Sequence, residues 1–158
     1  MICGAALMDY NNYLCIVKEK KSGLWGLPKG RKASSEDITT YACTCRKIRQ
    51  ELLLDVESEE FNCNWIRGIK SGKHCIFIMK TNLIFTKIDT RICRNLSKIN
   101  WVPLNYIFED SLTNPKKYNK SVHVLRNLYF QNDNTFIQVN LKNLTDGKKF
   151  DIDKKIEN

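Results

Sequence analysis

Two groups of residues in this chain have the types and spacing to do chemistry, and they lie close together in sequence. The first is the loop Gly26-Leu27-Pro28-Lys29-Gly30, followed by Arg31 and Lys32. Two glycines let backbone amides approach a ligand, the proline stiffens the turn, and Lys29 puts a positive charge at its tip. That combination suits a phosphate. The second group is Lys47, Gln50 and Glu51, which share a helix face because positions three and four apart are neighbours. Glu51 is the one carboxylate of that face. Mg²⁺ and Mn²⁺ take hard oxygen ligands, and the Lys47 ammonium would repel such an ion by roughly 4 kcal/mol at contact distance and an effective dielectric of about 20. The same ammonium attracts a phosphate directly.

These residues need a helix and a sheet to position them. Ser34 or Ser35 is suited to an N-cap, with Glu36 and Asp37 in the first turn where the helix dipole favours carboxylates. Ile38, Tyr41, Ala42, Cys45, Ile48 and Leu52 then recur at helical spacing as a buried stripe. Ahead of the loop, Ile2 to Met8 and Tyr13 to Lys18 are β-prone runs around the turn Asn11-Asn12, and Gly4-Ala5-Ala6 is small enough for close backbone approach. Trp25 reads as a packing anchor beneath the loop. Beyond the helix, Phe61 to Ile69, Cys75 to Lys80 and Asn82 to Asp89 read as strands, with Ser71-Gly72 a turn. Trp65 and Phe77 could face a ligand, and His74 is expected at the surface. Glu57, Glu59 and Glu60 read as a solvated turn, and Glu109 and Asp110 as an acid pair in a loop, of the kind that marks a turn or a helix start. A last helix is predicted from Asn119 to Asn127, with Val122, Leu125 and Tyr129 packing inward and His123 facing out. Phe136 to Leu141 is a further β-prone run, and the lysine-rich tail beyond Asp146 is expected to be mobile.

The loop and helix together resemble the signature of the Nudix hydrolases, G-x5-E-x7-R-E-U-x-E-E-x-G-U with U aliphatic. Gly30 and Glu36 fit its opening; Arg46, Ile48, Glu51 and Leu54 fit its end when Arg46 is taken as the arginine. Nine residues separate Glu36 from Arg46 where the signature has seven. Lys47 and Gln50 stand where the signature has its other two glutamates, and Leu53 where it has its late glycine. The stretch Asn95 to Leu104, NLSKINWVPL, resembles the strand before the family's last helix, through Ile99, Trp101, Val102 and Leu104. Together with WGLPKG it is most similar to the catalytic domain of mRNA-decapping enzymes. That group carries a general-base Glu shortly before the Trp, whereas Arg94 to Asn100 holds no carboxylate.

The resemblance implies an α/β fold, a Nudix-type α/β/α sandwich with a mixed β-sheet over residues 1–130, with 131–158 a C-terminal extension. It implies Glu51, Glu36 and Arg46 as catalytic residues, Glu36 pairing with Arg46, and Glu51 as ligand to Mg or Mn if the protein is active. Lys29, Gly30, Arg31, Lys32 and Lys47 would bind the ligand. With two signature carboxylates replaced, the expectation is a catalytically impaired protein that binds RNA, a capped 5′ end or another phosphate-rich partner. The alternatives are an active hydrolase of caps or other nucleoside diphosphate-linked substrates, with Glu36, Asp37 or Asp55 assisting Glu51, and a structural subunit of a larger ribonucleoprotein or protein assembly.

Composition agrees with an anionic partner. A net charge of +9 and a pI near 9.2 give a field that attracts phosphates. The 158 residues are enough for one core, and no run reaches membrane-spanning length. The start Met1 to Leu7 lacks the basic flank of a signal peptide. The seven cysteines form no C-x-x-C pair and read as buried reduced thiols, so the expected setting is cytoplasmic.

Overall fold

The computed structural model describes residues 2–31, 40–53, 67–71, 73–81 and 95–131. Lys32, the residues 34–38, Asp55, the acidic run 57–60, Trp65, the strand expected at 82–89 and everything after residue 131 lie outside them.

Strands β1 (Ile2–Met8) and β2 (Tyr13–Glu19) are joined by a turn in which Asn12 adopts a φ of 64°, a conformation asparagine tolerates better than most residues. Asp9 fixes it: its Oδ1 accepts the backbone N–H of Asn11 and of Tyr13, both at 2.9 Å. The strands pair at Met8↔Leu14 and then splay apart, and the glycine loop runs into the gap. Its first part, β3 (Trp25–Gly26), pairs with Val17 and Lys18 of β2. Its last part, β4 (Lys29–Arg31), pairs with Ile2 to Gly4 of β1, and between them the Ala5 N–H donates to the Pro28 carbonyl at 2.9 Å. Small residues at Gly4 to Ala6 make this approach possible.

Helix α1 (Thr40–Leu52) follows, then β5 (Arg67–Ser71), β6 (His74–Lys80), β7 (Leu96–Pro103), α2 (Leu104–Thr113), a 3-10 turn (Pro115–Lys117) and α3 (Lys120–Gln131). β6 runs parallel to β1, β5 antiparallel to β6, and β7 antiparallel to β2, so the sheet is mixed. Alternation along β2 decides which face each side chain serves. Cys15 and Val17 pack with Leu7, Trp101 and Ile48 of α1; Leu14 and Ile16 pack on the other face with Ile107 and Phe108 of α2 and Val122 and Leu125 of α3. The result is the expected α/β/α sandwich.

Tyr41, Cys45, Ile48 and Leu52 form the inward stripe of α1, and Trp25 is buried as an anchor under the loop. Three expectations are corrected. His74 is buried, because β6 lies inside the sheet between β1 and β5; burial lowers its pKa, and the charges of Lys120 and Lys29 lower it further. Phe77 faces α1, edge-on to Tyr41 at 5.4 Å, instead of a ligand. Glu109 and Asp110 belong to α2, whose first N–H is satisfied by the Asn12 carbonyl at 3.1 Å. Among the described cysteines, Cys3, Cys15, Cys43 and Cys75 are buried thiols outside any disulfide, and burial pushes Cys3 up to about 12. No described helix is long and apolar enough to cross a membrane.

Candidate functional site

Where β1 and β2 diverge, the glycine loop and α1 enclose a cleft of about 270 Å³. Val17, Leu27 and Leu96 give it apolar walls; Glu19, Lys21, Lys29, Lys47 and Glu51 give it charge. Each charged group arrives for a local reason. Glu19 ends β2 just past a register shift against β7, and it lines the cleft together with Val17. Lys29 opens β4. Lys47 and Glu51 lie one helical turn apart on α1.

The two loop glycines each make room for a side chain of the protein. A Cβ on Gly30 would stand 2.0 Å from Lys47 Cε, so the lysine stem crosses directly over this residue on its way to the cleft. A Cβ on Gly26 would stand 2.0 Å from Asn119 Nδ2. Asn119 leads into α3 and clamps the other end of the loop. Its N–H donates to the Trp25 carbonyl at 2.8 Å, its Nδ2 donates to Glu19 Oε1 at 2.8 Å, and its Oδ1 accepts from Ser121 N–H and Oγ. Ser121 Oγ in turn accepts the Leu27 N–H at 3.0 Å.

Arg46 lies outside the cleft lining and acts as a tie: its Nη2 donates to the Arg31 carbonyl and its Nη1 to Gln50 Oε1, each at 3.3 Å. Gln50 is therefore turned away from the cleft, and Arg31 contributes its carbonyl while its side chain is exposed. The expected pairing of Glu36 with Arg46 lies outside the described residues, as does Lys32. Of the residues singled out from sequence, the cleft brings together Lys29, Lys47 and Glu51, with Gly30 beneath Lys47. It adds Glu19, held by Asn119 100 positions away, a pair that carries no common sequence signal.

Electrostatics single out Glu51. Its Oε2 is buried and has no hydrogen-bond partner among the described residues. Burial pushes its pKa up to about 7, with Glu19 raising it further while Lys47 and Lys29 pull it down. A divalent ion of the kind the Nudix resemblance implies asks for several hard oxygens. Among the described residues no three His, Cys, Asp or Glu side chains converge, and the cleft's two carboxylates share it with three lysines. This donor set fits an anion and does not by itself fit a divalent cation.

No protein-family model matches the chain, and no curated protein matches it. Solved structures match its shape. An Ap4A hydrolase from C. elegans is 14% identical, with 88% of this chain and 99% of that chain covered and a TM-score of 0.59. The MutT protein of Methanosarcina mazei Go1 is 12% identical over 88% of this chain and 93% of that chain, with a TM-score of 0.55. A bifunctional NMN adenylyltransferase/ADP ribose pyrophosphatase from Francisella tularensis, solved with AMP and Mn ion, is 13% identical over 82% of this chain and 41% of that chain, with a TM-score of 0.52. At these identities the likeness establishes the fold, a Nudix-type sandwich.

Proposed function

We propose that this chain is a Nudix-family protein, similar to decapping enzymes, whose cleft binds the phosphate groups of RNA, a capped 5′ end or another phosphate-rich partner, with catalysis impaired. The observation that carries this reading is the convergence of Lys29 and Lys47 on a small cleft whose principal acid, Glu51, has a buried oxygen without a partner among the described residues. Two ammonium groups on a fixed loop and a helix suit a phosphate as point charges. Impairment follows from the replacements on α1. Lys47 stands where the family signature has a carboxylate, and Gln50, its other replacement, turns out of the cleft to Arg46. Losing a charge-stabilising group from a phosphoryl-transfer site typically costs orders of magnitude in rate.

A second reading, an Mg- or Mn-dependent hydrolase, draws support from Glu19, which adds a carboxylate to the cleft beside Glu51. It requires a further acid from outside the described residues.

Titration of the full chain with capped RNA, with and without Mg²⁺ or Mn²⁺, separates the two when binding and product release are both followed. The expected result is salt-sensitive binding, weakened about tenfold by Lys47→Ala, with no product under either metal. Metal-stimulated product release that disappears in Glu51→Gln overturns the proposal in favour of the hydrolase.

A further inference from the structure

We infer that Glu19 is a specificity-determining residue of the cleft, accepting a hydrogen bond from a sugar hydroxyl of a phosphorylated ligand, and that Asn119 is its positioning residue. The inference rests on the phosphate-binding reading above and names the ligand class for the same cleft: a phosphate carried on a hydroxyl-bearing sugar, as in a ribonucleotide.

Glu19 faces the cleft together with Lys29, Lys47 and Glu51. One of its oxygens is committed to Asn119 Nδ2 at 2.8 Å, whereas an ionised carboxylate has about four acceptor positions. Asn119 is held on every side. Its carbonyl oxygen takes both Ser121 donors, its backbone N–H is bonded to Trp25, and its amide lies in the notch left by Gly26. Glu19 is thus oriented by a rigid second partner while acceptor capacity remains towards the cleft.

A purely structural role explains this poorly. Stapling β2 to α3 needs one acceptor, and a glutamine at this position would accept the same bond from Asn119. A carboxylate adds negative charge next to Glu51, which is unfavourable for the protein alone and unfavourable for a bare phosphate. It becomes favourable for a ligand that brings donors alongside its phosphate. Lys29 and Lys47 then take the anion and Glu19 takes a hydroxyl, and a space of about 270 Å³ is ample for a phosphate with its sugar. Hydrogen bonds to charged acceptors are among those whose loss discriminates most sharply between ligands that differ by one hydroxyl.

The test is calorimetric titration of the full chain with ADP, 2′,3′-dideoxy-ADP and inorganic pyrophosphate at one pH and salt concentration. The unmodified protein is expected to prefer ADP to the dideoxy compound by about tenfold and to bind pyrophosphate weakest. Glu19→Ala should abolish the preference for ADP, and Asn119→Ala should reduce it in the same direction. Glu19→Gln keeps the bond to Asn119, so it folds as the parent does; it should bind pyrophosphate about tenfold more tightly because one negative charge is gone. Equal binding of ADP and the dideoxy compound by the unmodified protein, or a preference that survives Glu19→Ala, overturns the role of Glu19 while leaving the phosphate site standing. Failure of all three compounds to bind removes the phosphate reading and this inference with it.

Discussion

Two carboxylates near the ends of two helices are treated in opposite ways. Asp110, in the last turn of α2, accepts hydrogen bonds from Tyr118 Oη at 2.6 Å and Asn114 Nδ2 at 2.8 Å, and Lys117 Nζ lies 3.3 Å from its Oδ2. Burial alone would raise its pKa, but the bonds from Tyr118 and Asn114 and the Lys117 charge hold it below the ordinary carboxylate range. Glu51, at the end of α1, has a buried oxygen with no hydrogen-bond partner among the described residues, and burial pushes it up to about 7. The helix ends differ likewise. Asp110 closes its own helix with the turn that follows; α1 closes through Leu53, whose N–H donates to the Arg49 carbonyl at 3.0 Å from a left-handed φ of 56°. A buried acid with its bonds made stabilises a fold, whereas one left unsatisfied in a cleft costs stability, and the proposed phosphate-binding role is what would account for keeping it.

The largest effect expected from this contrast is on stability. Asp110→Ala removes the acceptor of the Tyr118 hydroxyl bond and of one Asn114 amide bond together with the Lys117 ion pair, which costs about 2–4 kcal/mol, read as a fall in thermal and urea midpoints. Because the folded pKa of Asp110 is depressed, its contribution is fully present above the unfolded value near 3.9 and is lost as pH falls through the folded pKa. The difference between parent and variant should therefore shrink in acid. A variant with an unchanged midpoint at pH 7 would break the contrast at its structural end.

Glu51→Gln probes the other end and should have the opposite sign. A carboxyl whose pKa rises from 4.5 to about 7 on folding keeps its proton longer in the folded state, so stability falls as pH climbs between those values and stays low above them. Removing the charge is expected to stabilise the protein by about 1–2 kcal/mol at pH 8, after allowance for solvent screening, and to change nothing at pH 4. Urea unfolding at the two pH values reads the difference. Destabilisation at pH 8 would mean that Glu51 ionised is a satisfied structural acid like Asp110, and the contrast would collapse.

The contrast was half visible in the residues. The apolar stripe of α1, the anchor Trp25 and the chemistry of Lys29, Lys47 and Glu51 depend on local spacing, which the chain displays. Glu19 does not: it reads as one acid among the lysines 18, 20 and 21, and its place in the cleft depends on the splay of β1 from β2 and on Asn119 far down the chain. Asp110 looked like a turn residue because its partners Asn114, Lys117 and Tyr118 belong to the segment after the helix, and only the fold brings them back onto it. Histidine is ambiguous in any pattern, and His74 is buried through the parallel pairing of β6 with β1, which no local period announces. Gln50 shares a nominal face with Glu51, yet Arg46 one turn earlier draws it to the other side.

The smallest effect concerns the helix end beside Glu51, and it asks whether strain there belongs to the site. Leu53 occupies the position that the Nudix signature gives to glycine, and its φ of 56° explains why glycine suits it: a side chain in the left-handed region crowds its own carbonyl at a cost of roughly 1–2 kcal/mol. The leucine offers little in return, since more than half of it, 55%, is exposed. Glycine also makes the unfolded chain more flexible, which takes back part of the gain. Leu53→Gly should therefore stabilise the protein by about 0.5–1 kcal/mol, a rise of a few degrees in Tm, with the affinity for ADP unchanged. Such a result makes the end of α1 a plain cap and leaves Glu51 as the unsatisfied element of that region. A loss of ADP affinity at unchanged or higher Tm would instead show that the strained turn helps hold Glu51 and Lys47 in place, and the comparison with the self-closed Asp110 helix would then extend from one side chain to the whole helix end.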